Sequence, residues 1–239
     1  MTTRKNKSLA DGEITGEAPL SRGEQTRALI LETALGMFSE RGYEETTMRA
    51  VAEKAGVALG NTYYHFRSKE HLIQAFYERL HQQHKLACAP VLETERTLKG
   101  RLDGVMRAIM HNMQPWHRFA AVLFRTAADP QSPLNPFSAE SAHIREESIT
   151  WFADVLKGTR TKIPDDLAAE LPSLLWLYQM SIVLFWIHDS SEGQRRTWRL
   201  LDHSLDIVTR MITLASNPLM KPLRKSVLDL VRGLREEVA

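Results

Sequence analysis

Residues 46–72 read TTMRAVAEKAGVALGNTYYHFRSKEHL, and this stretch decides the fold. Thr46 or Thr47 is placed to cap a short helix whose Val51 and Ala55 face inward, and Gly56 supplies a left-handed stop. A few residues later, Ala58 to Phe66 forms a second short helix. Ser68 caps the next one, with Glu70 in its favourable first turn. Two short helices joined by AGVA and followed by a basic helix start have the proportions of a helix-turn-helix. In that motif the second helix enters the major groove while its neighbours anchor the backbone.

The residue types of the second helix suit that task. Gly60 allows close approach to DNA, Asn61 offers the donor and acceptor that adenine needs, and Leu59 is placed for a thymine methyl. Tyr63, Tyr64 and His65 are candidate donors to phosphates or base edges, while Phe66 is expected in the core. Lys69 and the amides beside it suit a phosphate, and Thr47 and Arg49 are placed for a flanking one. Charge adds little. From 23 to 69, Arg27, Arg41, Arg49, Lys54, Arg67 and Lys69 are balanced by Glu24, Glu32, Glu40, Glu44, Glu45 and Glu53. Affinity has to come from arrangement and from doubling of the site.

Upstream, Ser21 and Glu24 have capping-box spacing, Ile30, Ala34 and Phe38 recur every four residues, and Gly42 ends that helix. Downstream, the helix that Ser68 caps is expected to last until near Pro90. Helical periods then cover roughly 95–113, 116–128, 138–158, 165–189, 193–215 and 219–238. ADPQSPLNPFS, with three prolines, is a loop, and Pro172 is expected to start a new segment or kink the helix around it. No period-two alternation occurs, so the fold class is all-α. Three regions are expected: a polar, disordered tail over 1–22, a helix-turn-helix domain over 23–69 and a helical bundle over 70–239.

Residues 30–72 resemble the TetR family of transcriptional regulators. The positions that carry the resemblance are Ala34, Phe38, Gly42, Thr46, Thr47, Ala52, Gly56, Val57, Gly60, Tyr63, His65, Phe66, Lys69 and Leu72. Thr62 departs from it, because the family more often has an apolar residue there, and looser packing is expected at that point. The resemblance implies a homodimer on a near-palindromic, double-stranded DNA operator, repression as the usual outcome, and a small-molecule effector that releases the DNA; the alternative is an activator of the same type or a regulator without a ligand. No cofactor is implied.

The rest of the chain is read with that in mind. SLLWLYQMSIVLFWIHD, beginning at Ser173, is apolar on every face and must be buried all round. Leu175, Ile182 and Phe185 on it, with Trp198, Leu201, Leu205, Val208 and Ile212 on the next helix, form seams suited to a four-helix dimer interface, with a purely intramolecular core as the alternative. A ligand pocket is expected between the helices of 95–190. Met106, Met110, Met113, Trp116, Phe119, Trp151 and Tyr178 are its wall candidates, and His111, Gln179 and His188 its polar ones. The same residues also suit an ordinary bundle core.

Composition sets outer limits. The 239 residues are 43% hydrophobic with a net charge of +2, enough for one large or two coupled domains. The single cysteine, Cys88, excludes an intramolecular disulfide and suits a reducing compartment. The N-terminus lacks the apolar core of a secretory signal, and Leu174 to Ile187 is shorter than a membrane span. A cytoplasmic protein without a membrane partner is expected. His81, His84 and Cys88 fall on one helix face, but no fourth ligand accompanies them, so no metal is assigned. No nucleophile elbow, phosphate loop or carboxylate cluster supports an enzyme, including one acting on a phosphorylated substrate.

Overall fold

The structure, a computed structural model, describes the backbone of residues 21–236 and the side chains to Gly233. Most of the expected tail therefore lies outside the described residues, as do the side chain of Leu234 and the last residues of the expected final helix. Ser21 and Arg22, assigned above to the tail, already cap and open α1 (Arg22–Arg41). The Glu24 amide donates to Ser21 Oγ, and the Ser21 amide donates back to the Glu24 carboxylate. Ile30, Ala34 and Phe38 are fully buried, and Gly42 leaves the helix at φ 95°, where a side chain would be strained.

Thr47, not Thr46, caps α2 (Met48–Ala55) by accepting from the Ala50 amide. Thr46 is buried and donates to the Gly42 carbonyl. Gly56 takes the left-handed conformation (φ 68°, ψ 29°) that separates α2 from α3 (Leu59–His65). Thr62 corrects the expectation of looser packing. It has no exposed surface, and its hydroxyl lies 3.4 Å from the Ala58 carbonyl of the preceding turn. A threonine is tolerated in this apolar position because its own helix accepts its proton.

α4 (Lys69–Thr94) runs through Pro90 instead of ending there. Proline deprives only the Leu86 carbonyl of its partner, and Leu86 lies on the exposed face where solvent accepts the loss. Pro172 likewise sits inside one continuous helix. α5 (Leu98–Met113), α6 (His117–Ala127) and α7 (Ala142–Lys157) follow, joined by a short 3₁₀ turn and the proline loop. The buried Arg101 fastens α5 to its neighbours, donating to the carbonyls of Leu92, Glu95 and Val155.

α8 (Asp165–Ile187) is by length and composition apolar enough to cross a membrane, yet it packs against α6, α7 and α9 (Arg195–Ala215). Asp189 holds the α8–α9 turn. Burial opposes its charge, but hydrogen bonds from the Ser191 and Thr197 amides and hydroxyls prevail and keep the carboxyl down at about 2. α10 (Lys221–Glu236) lies on α8, with Leu228 buried against the core. Its Arg224 and Arg232 pair inward with Asp166 and Glu170, while Leu219, just ahead of it, and Leu223, Val227 and Leu230 face outward. The described residues hold ten α-helices and no strand.

Most of the seam positions read from sequence are taken up by the core of the single chain. Leu175, Ile182, Leu201, Leu205 and Ile212 are buried within the single chain, and Trp198 and Val208 pack partly against the same core. Of those positions only Phe185 is exposed. The outward face of the pair carries Leu177, Leu184 and Phe185 on α8 with Ile207, Met211 and Leu214 on α9. A helix apolar all round has no hydrophobic phase to show which stripe turns inward.

Candidate DNA interface and effector cavity

The surface of α3 is a projecting polar and aromatic face on a buried base. Thr62 and Phe66 anchor it, and Leu59 and Val57 pack partly against the core. Gly60, Asn61, Tyr63 and Tyr64 are exposed, Tyr64 at 82%. His65 is half-buried, its ring edge-on to Tyr64 with centroids 5.1 Å apart. Arg49 is exposed beside this face, and Thr47, though exposed, spends its hydroxyl on the α2 cap. The α3 candidates Gly60, Asn61, Tyr63 and Tyr64 are thus exposed on one short helix, and Arg49 is exposed on the helix before it.

Lys69 is the exception. Its ammonium turns back, donating to the Tyr43 carbonyl at 2.8 Å and the Glu44 carbonyl at 3.4 Å, 4.3 Å from the centre of the Tyr43 ring. Tyr43 in turn donates its hydroxyl to Glu70 at 2.7 Å; burial and that carboxylate both push the phenol pKa up. The start of α4 is therefore tied to the loop between α1 and α2, and in this state the Lys69 side chain is not a free phosphate anchor. Lys69→Ala is expected to destabilise the protein by ~1.5 to 3 kcal/mol, the scale of a charged hydrogen bond. A phosphate contact alone would leave the melting temperature unchanged and flatten the salt dependence of binding by ~0.9 per contact. Thermal denaturation beside a salt titration separates the two.

The bundle holds a half-open cavity of about 220 Å³ between α4, α6, α7 and α8. Phe76, Trp116, Leu123, Phe124, Trp176 and Val183 are among the residues of its apolar wall, and Pro136 of the proline loop reaches it. That loop is held by Arg145, which donates to the Pro136 and Ser138 carbonyls, and by Gln74, which donates to the Pro133 carbonyl. Of the sequence candidates, Met113, Trp116 and Gln179 line the cavity. Met106, Met110, Phe119 and Trp151 do not; they are buried in the surrounding core. Tyr178 donates or accepts with Ser204 on α9, and His111 and His188 are exposed, each bonded to a carbonyl one turn back on its own helix. Methionines and aromatics at helical spacing serve core and cavity alike, so spacing could not sort them.

Sequence reasoning missed α4. Tyr77, Leu80, His81 and His84 all line the cavity. The available signal was the pair of histidines on one face, considered above only for metal. Cys88, one turn further, donates instead towards the Val105 carbonyl, and burial pushes its thiol up to about 12.

His84 is held neutral. Burial first, then the nearby His81, lower its pKa to about 4, and the Asn112 amide lies 2.9 Å from its Nδ1. Burial likewise lowers His81, against the pull of Glu147. Between pH 6.5 and 4 the unfolded chain binds a proton at residue 84 that the folded one refuses. Stability is therefore expected to fall with pH across that window, by about 3 kcal/mol from this residue. Denaturant titration of His84→Leu against the parent, from pH 7 to 4, checks it. The variant should show the shallower loss.

The comparisons agree with this geometry. Residues 101–234 match the model of the tetracyclin repressor-like C-terminal domain, and residues 30–76 that of bacterial regulatory proteins of the tetR family. The chain is 28% identical over 190 residues to the HTH-type transcriptional regulator TtgR of Pseudomonas putida, covering 77% of this chain and 85% of that protein. It is 28% identical over 148 residues to the HTH-type transcriptional repressor KstR2 of Mycolicibacterium smegmatis, covering 60% and 67%. Among solved structures, a TetR-family regulator from Syntrophomonas wolfei superposes with a TM-score of 0.65 at 15% identity, covering 79% of this chain and 96% of that one. At that identity the superposition speaks for the fold alone.

Proposed function

The chain belongs to the TetR family of bacterial regulatory proteins and is a DNA-binding transcriptional regulator, not an enzyme; we propose that it is a cytoplasmic, homodimeric repressor released from its operator by a small apolar effector. The observation that carries the proposal is the continuity between cavity and reading head. Trp116 and Phe76 line the cavity, and Phe119 stands behind both, with ring centroids 6.3 and 5.2 Å away. On its other side Phe119 stacks on Phe38 of α1 at 6.2 Å. Arg79 adds a second link, lying over the Trp116 ring and pairing with Glu32 of α1. α4 itself lines the cavity in its middle and holds the α1–α2 loop through Lys69 and Glu70 at its start.

An effector that favours one spacing of these elements, while DNA favours another, weakens DNA binding, and linkage makes the effect mutual. Two α3 helices about one helical turn apart, ~34 to 36 Å, would read inverted half-sites. The exposed apolar faces of α8 and α9 are the candidate dimer surface, since contiguous patches of this kind mark protein interfaces. Asn61, Tyr63 and Tyr64, with Gly60 and Leu59, are the proposed base-reading set, His65 and Arg49 phosphate contacts, and the Thr47 cap a support.

Footprinting on genomic fragments tests the reading, with protected inverted half-sites as the expected result. Asn61→Ala is then expected to relax preference at one base pair per half-site by ~1 to 3 kcal/mol. Arg49→Ala should weaken all sequences alike. Protection of a single asymmetric site would contradict the dimer.

A further inference from the structure

The cavity wall is apolar apart from a few side chains, and three of these lack a hydrogen-bond partner for at least one group. Tyr77 on α4 has no hydrogen bond among the described residues, although burial raises its hydroxyl pKa. Gln179 on α8, only 8% exposed, has none for its amide. His81, 5% exposed and one turn beyond Tyr77, shares Nδ1 with Ser148 Oγ at 3.3 Å. Its Nε2 is unbonded, with the Glu147 carboxylate 3.5 Å away and out of hydrogen-bond alignment. Leaving a buried donor or acceptor unmatched costs ~1 to 3 kcal/mol; His81 Nε2 is such an atom, and Tyr77 and Gln179 add two unbonded polar groups at the same cavity, so the site expects polar atoms from a guest.

The same wall offers little to a charge. Arg145 is the only lysine or arginine lining it among the described residues, and its Nη1 is held by the Pro136 and Ser138 carbonyls. The lining contains no aspartate or glutamate. His84 has its Nδ1 engaged by Asn112. An ionised carboxylate or phosphate would have only Arg145 to pair with, whose Nη1 already holds the proline loop, and would be poorly compensated for the water it loses. For size, a ~150 Å³ apolar cavity accepts benzene, and this one is about 220 Å³. Phe76, Trp116, Phe124 and Trp176 provide ring faces and edges against which a flat ring packs well.

We infer that the cavity binds a compact, uncharged ring compound bearing a hydroxyl or carbonyl oxygen, received by Tyr77 and His81 on α4 and Gln179 on α8. The inference rests on the reading of this cavity as the effector site. It adds that the guest bridges the two helices, and that a single oxygen distinguishes it from a plain hydrocarbon.

Calorimetric titration of the full-length protein with naphthol, naphthalene and naphthoate tests it. Naphthol is expected to bind at least tenfold more tightly than naphthalene, the value of about one net hydrogen bond, and naphthoate more weakly than either. Tyr77→Phe and Gln179→Leu keep the wall filled; each should reduce the advantage of naphthol over naphthalene while leaving naphthalene binding intact or improved. Equal affinity for naphthol and naphthalene, tightest binding of naphthoate, or no binding of any probe would overturn the inference. Operator release is read separately by fluorescence anisotropy of labelled DNA. Naphthol that binds as expected but leaves the DNA bound would refute the effector mechanism and leave the ligand class standing.

Discussion

The double substitution Leu177→Glu, Met211→Glu is expected to yield folded monomers whose operator affinity is lower by ~10²- to 10⁴-fold, the gain that joining two binding modules confers. Leu177 is 41% and Met211 63% exposed in the single chain, so a carboxylate at either position stays hydrated and the fold survives. In the proposed dimer the four introduced charges would be buried against one another without partners, at several kcal/mol. Each monomer would retain an intact α3 but would read one half-site alone. Sedimentation velocity and anisotropy titration measure the two effects, and circular dichroism verifies the fold. The control is Leu201→Glu. Leu201 has no exposed surface, so this variant should unfold the chain instead of splitting a dimer. A Leu177→Glu, Met211→Glu protein that remains dimeric would place the interface elsewhere, with the outward stripe of α10 as the next surface to test.

Phe119→Ala is expected to cost ~3 to 5 kcal/mol of stability, as for other buried phenylalanines, because the ring is 2% exposed and packs between Phe38, Phe76 and Trp116. The more informative variant is Phe119→Leu, which retains much of the volume and loses the flat contact with Phe38. It should keep operator affinity within a few-fold of the parent and keep effector affinity for the free protein. What it should lose is the coupling between them. An ordinary coupling of ~1 to 3 kcal/mol, a five- to 150-fold weakening of DNA binding by effector, should shrink towards unity. Chemical denaturation gives the stability, and operator titrations with and without effector give the coupling. Unaltered coupling in Phe119→Leu would leave α4 and the Arg79–Glu32 pair as the route.

The reading head was legible because its signals are local. Gly56 must adopt a left-handed conformation wherever the chain turns from α2 to α3, and Ser21, Thr47 and Ser68 cap the helices that follow them. Asn61, Tyr63 and Tyr64 fall outward once Thr62 and Phe66 fall inward, a consequence of helical period. The same local logic located the later helices, apart from the two prolines that run inside them.

Contacts between distant parts of the chain followed no such rule. Lys69 looks like a free cation at a helix start, yet it is spent on carbonyls 25 and 26 residues away. The cavity draws Tyr77, His81 and Gln179 from helices that are far apart in sequence, and it passes over Met106 and Met110, which have the same spacing and chemistry as residues that line it. The chain alone determined that there would be a helix-turn-helix carried on an apolar bundle, since caps, glycine conformation and helical period act within a few residues of one another. Only the tertiary structure decided which face of α8 meets solvent and which side chains surround the cavity, because a helix apolar on all sides packs equally well in several rotations until its neighbours fix one.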